Sequence, residues 1–271
     1  MPGTSIAKNK NGVELHFDEG PHEYYTLGAD GHKTTYTSVT ELVGRFFPKF
    51  DADAIAPRVA AKRGVSTEDI LREWRETADA ACKFGTRVHE CAEDTLRGNP
   101  LRNTPVDARE AETFKQAVAI AEKIRGKSEV LGIEKVTFIE HLKLAGTVDL
   151  FVRNKCKDGT YKYWILDYKT NKKIEQDNPF QKFGYPPFQN MPDNNFSHYT
   201  IQLNIYQRML QLNGEIPDGA DIGRALLHIT PAGAFPYKIP DIQAQIASMF
   251  DSMTNGEMTQ IQNEAEKRND D

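Results

Sequence analysis

Polar and apolar positions alternate most regularly along residues 146–170, GTVDLFVRNKCKDGTYKYWILDYKT. Val148, Leu150 and Val152 alternate with Thr147, Asp149 and Phe151, and an aromatic and β-branched run extends from Tyr161 to Leu166. A period of two predicts strands. Lys157-Asp158-Gly159-Thr160 supplies an Asp-Gly turn between them, so the stretch reads as an antiparallel hairpin.

The rest of the chain is organised around this hairpin. Residues 13–36 read as short strands, with turns at Gly20-Pro21 and at residues 28–31. Ser38, followed three residues on by Glu41, is a capping-box signature and predicts a helix start. Pro48 breaks that helix, and a further short one spans residues 51–63. Residues 66–69 cap a long helix through Arg97, with Leu71, Trp74, Ala78 and Ala81 at helical spacing. Gly98-Asn99-Pro100 stops it. A helix over 106–126 would bury Ala117, Ile120, Ala121 and Ile124, and a strand over 129–139 leads into the hairpin. Residues 176–197 show no periodicity, and a loop of that length is usually functional or mobile. A helix over 198–212, strands over 223–230 and near Tyr237, and a helix from Pro240 complete the chain. This order predicts a mixed α/β layer architecture.

Composition narrows the class only partly. A chain of 271 residues can bury a substantial core. No apolar run is long enough to span a bilayer, and the first residues lack the apolar segment of a signal peptide, so a cytoplasmic protein is expected. Three cysteines with no CxxC pair point to reduced thiols rather than a disulfide framework or zinc knuckle. Of the net charge of −5, −4 comes from residues 251–271, where six acids face Lys267 and Arg268. The remainder is close to neutral, which leaves a phosphodiester substrate open.

The candidate chemistry begins with acids that interrupt apolar strands. Asp149 and Asp167 sit beside residues suited to burial, and Lys169 follows Asp167 at the two-residue spacing that keeps both on one face. A carboxylate there carries a desolvation cost unless it is paired or holds a metal. The segment therefore reads as a divalent-cation site with a positioned ammonium, or equally as an Asp–Lys ion pair on a half-exposed sheet. Gly85 inside the long helix costs about 1 kcal/mol relative to Ala, which predicts a close approach to the backbone, and His89 lies one turn later. Gln202 and Tyr206 share a face of the later helix with His198; a solvated polar stripe would explain them too.

In order these are Gly-x3-His on a helix, Gly-x2-Asp on one strand, Asp-x-Lys on the next and Gln-x3-Tyr on the following helix. That order resembles the PD-(D/E)XK nuclease superfamily, and within it the RecB-like branch. Ser38 to Thr40 and the helices before His89 also look like phage exonucleases and the mitochondrial genome maintenance exonuclease. The resemblance implies an α/β fold, a restriction-endonuclease-like mixed sheet flanked by helices, with a helical N-terminal extension. It divides the chain into 1–80 (strands and helices packed on the core), 81–250 (the nuclease core) and 251–271 (an acidic tail). It implies Asp149, Asp167 and Lys169 as catalytic residues, and His89, Asp149 and Asp167 as ligands of Mg²⁺ or Mn²⁺. Ser38, Thr40, Gln202 and Tyr206 would contact substrate, and Glu140 sits where many relatives carry an acid. The cluster cysteines of the iron–sulfur members are absent. The implied activity is a metal-dependent deoxyribonuclease of recombination or repair type, an exonuclease preferring single strands or free ends of DNA. Two other readings stand beside it: a non-catalytic nucleic-acid- or partner-binding protein on the same fold, and a metal-dependent hydrolase of small phosphoesters. Aromatic residues of the 176–197 stretch (Phe180, Phe183, Tyr185, Phe188 and Phe196) favour a polymer, since exposed rings stack on unpaired bases; they would serve equally to pin the loop to the core.

Overall fold

The computed structural model describes residues 4–18 and 23–256. The Gly20-Pro21 turn and most of the acidic tail therefore lie outside the described residues. Four strands come first: β1 (Thr4–Lys8), β2 (Glu14–Asp18), β3 (Glu23–Leu27) and β4 (Lys33–Ser38). Helices α1 (Val39–Gly44), α2 (Ala52–Arg63), α3 (Thr67–Arg97) and α4 (Ala108–Arg125) follow, then β5 (Glu129–Ile139), β6 (Leu144–Lys155) and β7 (Tyr161–Lys169). Helix α5 (Asn195–Leu212), strands β8 (Asp221–Thr230) and β9 (Gly233–Lys238) and helix α6 (Gln243–Thr254) end the described chain. The expected mixed sheet flanked by helices is present, and the N-terminal meander β1–β4 extends it at one end.

Among the described residues, nine strands form one sheet in the order β1-β2-β3-β4-β6-β7-β8-β9, with β5 paired to β6. The expected central hairpin is antiparallel, in register from Leu150 opposite Leu166 to Lys155 opposite Tyr161. Its turn is closed by the Asp158 carboxylate accepting the Thr160 N–H at 3.0 Å, with Gly159 at φ 88°, where a side chain would be strained.

Successive residues of β7 feed opposite layers, as a two-residue period requires. Tyr163 and Ile165 join α1, α5 and α6 in one core. Leu166 and Tyr168 join α3 and α4 in the other. The sheet is thus sandwiched between helices, and one side of its central strand β6 is left partly open.

What opens that edge is a fork in the sheet. Strand β5 lines one side of β6 throughout. On the other side β4 pairs only at Leu144 and Ala145, while β7 pairs only from Leu150 onward. Residues Gly146 to Asp149 lie between. Parallel β4 and antiparallel β7 both run toward this gap, so their C-terminal ends converge on it.

Two details differ from what the sequence pattern suggests. Ala78 and Ala81 are exposed, because the middle of α3 projects past both cores. Its N-terminal part packs instead with α2 in a small separate cluster of Ala56, Ala60 and Ile70, flanked by Leu71 and Trp74. Alanine buries too little area for helical spacing alone to assign it to a core. The last long helix also starts earlier than expected, at Asn195, because the Asn194 side chain caps it by accepting the Ser197 N–H at 2.9 Å.

Candidate active site

Three elements bring their polar side chains to the fork. Asp149 stands in the gap of β6, and its Oδ2 accepts the backbone N–H of Tyr168 at 2.9 Å. That bond ties the open part of β6 to the end of β7. From α3, His89 places Nδ1 at 3.4 Å from the same oxygen, and its ring meets Tyr168 edge-on at 5.6 Å. Strand β5 contributes Glu134. Its neighbours Ile133 and Lys135 pair with Leu150 and Val148, so Glu134 falls opposite Asp149. One ligand atom each from His89, Glu134 and Asp149 lies within 4.8 Å of the others.

Two carboxylates opposite one another across a strand pair repel. Glu134 also holds φ at 48°, a left-handed backbone that costs a non-glycine residue roughly 1–3 kcal/mol. Unfavourable charge and unfavourable backbone at one residue are characteristic of a site kept for function.

Asp167 stands beside this trio, 2% exposed. Lys169 Nζ lies 2.5 Å from its Oδ2, yet that buried oxygen has no well-directed hydrogen bond. The contact is an ion pair that leaves acceptor capacity on Asp167. Burial pushes the Asp167 carboxyl up to about 6, with Lys169 pulling it down and Asp149 adding to the rise. Burial works to lower the Lys169 ammonium, but Asp167 and Asp149 outweigh it and the net shift is upward, so the lysine is cationic. Glu134 is pushed up to about 8 by the surrounding protein and then by Asp149, Glu93 and Asp167. One side of Glu134 is exposed, and water there screens part of the repulsion, so the upward direction carries the argument.

The donor set fits a divalent cation. Carboxylate oxygens suit Mg²⁺, and an imidazole extends the choice toward Mn²⁺. Glu134, Asp149 and Asp167 crowd together in a state that only a proton or a cation relieves. The structure brings His89 and Asp149 of the expected set together. Glu134, absent from the expected set, completes the trio. Glu140 sits in the β5–β6 turn, where it accepts a hydrogen bond from Asn9 Nδ2 at 3.2 Å. Counting back along β5 from Ile139 opposite Leu144 would have identified Glu134, had residues 140–143 been recognised as the turn.

The four expected substrate contacts share one cavity. Ser38, Thr40, Gln202 and Tyr206 line a space of about 440 Å³ together with Glu134, Gly146 and Thr147. Phe17 and Tyr24 of the meander form its other wall. Ser38 caps α1 by accepting the Glu41 N–H at 3.1 Å, so its hydroxyl already has a structural task. Gln202 and Tyr206 are buried rather than a solvated stripe, with Gln202 Nε2 donating to the Tyr206 hydroxyl at 3.4 Å. Gly146 makes this possible, because a Cβ there would lie 2.8 Å from Tyr206 Cε1 and 2.9 Å from Val39 Cγ2. His198 is not at the cavity; it stacks on Phe47 at 4.0 Å and its Nε2 lies 2.9 Å from Asp193 Oδ1.

The close approach expected at Gly85 is found: a Cβ there would lie 3.3 Å from Thr170 Oγ1, just past the end of β7. In the loop before α5 the aromatic side chains divide. Phe188 is buried against Phe46, ring centroids 4.9 Å apart, and Phe196 packs against the same core. Phe180 and Phe183 are 82% and 48% exposed. The loop is thus pinned by some rings and presents others.

A sequence model described as the PD-(D/E)XK nuclease superfamily matches residues 107–270, which include Glu134, Asp149, Asp167, Lys169, Gln202 and Tyr206 but not His89. No curated protein matches the chain.

Proposed function

From the premise that this chain belongs to the PD-(D/E)XK nuclease superfamily, and so is a metal-dependent nuclease, we propose that it is a DNA exonuclease that takes a single strand by its end. The observation that carries the catalytic part is Glu134 set opposite Asp149, with His89 Nδ1 3.4 Å from Asp149 Oδ2 and one ligand atom of each of the three within 4.8 Å of the others, beside the Asp167–Lys169 ion pair. His89, Glu134 and Asp149 would hold Mg²⁺ or Mn²⁺, with Asp167 behind them. Such a cation, when bound, supplies positive charge at the phosphate and makes water more acidic.

The chain's own groups do the rest. Lys169 brings a fixed positive charge beside the scissile phosphate, where it acts on charge that develops in the transition state. The Tyr168 N–H holds Asp149 in place. His89 is oriented by the Tyr168 ring. Gln202 and Tyr206, locked to each other, offer polar edges along the cavity wall, and Thr40 offers a hydroxyl.

Support for a single strand comes from the cavity. At about 440 Å³ and walled by the β1–β4 meander, it is nucleotide-sized, which favours a single strand over a duplex. Phe180 and Phe183 offer faces for unpaired bases, an interaction tolerant of sequence. A binding protein on the same fold would be expected to have lost a carboxylate or the lysine, and Asp149, Asp167 and Lys169 are all present.

The test is a digest of labelled linear single strands, linear duplexes and covalently closed single-stranded circles with Mg²⁺ or Mn²⁺. Linear strands should shorten progressively from an end while circles persist. Rapid cutting of the circles would refute the end requirement.

A further inference from the structure

The Lys169 ammonium has a second neighbour besides Asp167. It lies over the ring of Tyr199 on α5, 4.6 Å from the centroid. Tyr199 is itself fixed: its hydroxyl donates to Asn171 Oδ1 at 2.9 Å. Asn171 is held in turn, since its backbone oxygen lies 2.7 Å from His228 Nε2. A carbonyl oxygen can only accept, so His228 carries its proton on Nε2. His228 is 6% exposed and pairs with Lys169 across the parallel β7–β8 ladder. The chain of contacts therefore closes on itself, from Lys169 through Tyr199 and Asn171 to His228 and back along the sheet.

A lysine has four rotatable carbons and no preferred direction for its charge. Paired with Asp167 alone, the ammonium could turn about that carboxylate. A ring face on the other side confines it, because the negative face of an aromatic ring attracts a cation, more strongly where water is excluded. Lys169 has only 17% of its side chain exposed.

We propose that Tyr199, braced through Asn171 by His228, is a positioning residue that fixes the Lys169 ammonium for phosphodiester cleavage. This rests on the reading of Lys169 given above. The ring does the confining and the hydroxyl holds the ring, so the substitutions should grade in that order. Tyr199→Phe keeps the ring and loses the anchor. Asn171→Ala loses the anchor without touching α5 and leaves the backbone oxygen for His228. Tyr199→Leu keeps apolar bulk and loses the ring.

The experiment measures single-turnover cleavage of a linear single strand, its Kd in Ca²⁺, Mn²⁺ affinity by calorimetry, and Tm. Tyr199→Phe and Asn171→Ala should each slow cleavage by about 3-fold, and Tyr199→Leu by roughly 10- to 100-fold, the scale of a misplaced reacting group. Substrate Kd and Mn²⁺ affinity should stay near wild type in all three, a split that a general structural defect would not produce. In a Lys169→Ala background Tyr199→Leu should cost nothing more, since coupled residues are non-additive. An equal loss in both backgrounds, or wild-type rates in Tyr199→Leu, would overturn the positioning role while leaving Lys169 catalytic. Wild-type cleavage by Lys169→Ala alone would instead sink the reading of Lys169 and the proposal with it. Should Tyr199→Leu fail to fold, Asn171→Ala decides: an undiminished rate there overturns the bracing.

Discussion

At the scale of single residues, Glu134 tells most about the protonation state of the site. Its carboxyl is pushed up to about 8 from an ordinary 4.5 by its surroundings and by neighbouring acids. A carboxyl raised on folding binds its proton more tightly in the native state. Its contribution to stability is therefore complete at low pH and is lost as pH rises above the ordinary 4.5 through its raised native value. Comparing thermal melts of wild type and Glu134→Gln in EDTA isolates the effect. The variant should gain stability relative to wild type as pH climbs across that window, and Mg²⁺ should stabilise wild type more at its upper end, where no proton has to leave. A constant difference in Tm across the window would show that Glu134 ionises freely.

At the scale of elements, the fork in the sheet decides where chemistry can happen. Strand β6 is left open at Gly146 to Asp149 because β4 and β7 stop short on the same side. Gly146 lets the Tyr206 ring close over the gap. Gly146→Ala would drive a methyl to 2.8 Å from that ring and 2.9 Å from Val39, so one of them must move. Overpacking of this kind typically costs about 1–3 kcal/mol. The expected outcome is a lowered denaturation midpoint together with weakened single-strand binding, and unchanged binding would mean that Tyr206 does not line the substrate path.

The elements also show how far the sequence can be read. The hairpin was legible because alternation and the Asp-Gly turn act locally, and Gly85 announced the approach of Thr170 because a glycine inside a helix needs a reason. Glu134 was not legible, since its place depends on the register of a hairpin whose turn, residues 140–143, carries no strong turn signal. Tyr199 was hidden for a related reason: its partner Lys169 comes from another layer, a contact that helical spacing does not reveal. The exposed middle of α3 escaped because alanines fit a core and a solvated helix equally well.

At the scale of the whole molecule, no helix among the described residues is long and apolar enough to cross a membrane, and elements from both faces of the sheet meet at the candidate site. The meander walls the cavity, α3 and α5 reach it from opposite faces of the sheet, and the loop before α5 leaves Phe180 and Phe183 exposed. If those rings stack on bases, Phe180→Ala with Phe183→Ala should weaken single-strand binding by about 10-fold or more, at roughly 1–3 kcal/mol per stacked base, without altering Tm. Fluorescence anisotropy at several salt concentrations would check this, because the phosphate contribution falls steeply with salt and the stacking contribution does not. Equal affinity of the double variant and wild type would make the rings part of the scaffold only.

The central proposal is that His89, Glu134 and Asp149, with Asp167 behind them, hold a divalent cation and that Lys169 assists phosphodiester cleavage beside it. The most direct measurement is single-turnover cleavage of a linear single strand by wild type and Asp149→Asn across a Mg²⁺ titration. Wild type should be inert in EDTA and recover saturably with Mg²⁺, and Asp149→Asn should be slower by at least about 100-fold at every concentration while melting no lower than wild type. Cleavage undiminished in EDTA, or in Asp149→Asn, would contradict it.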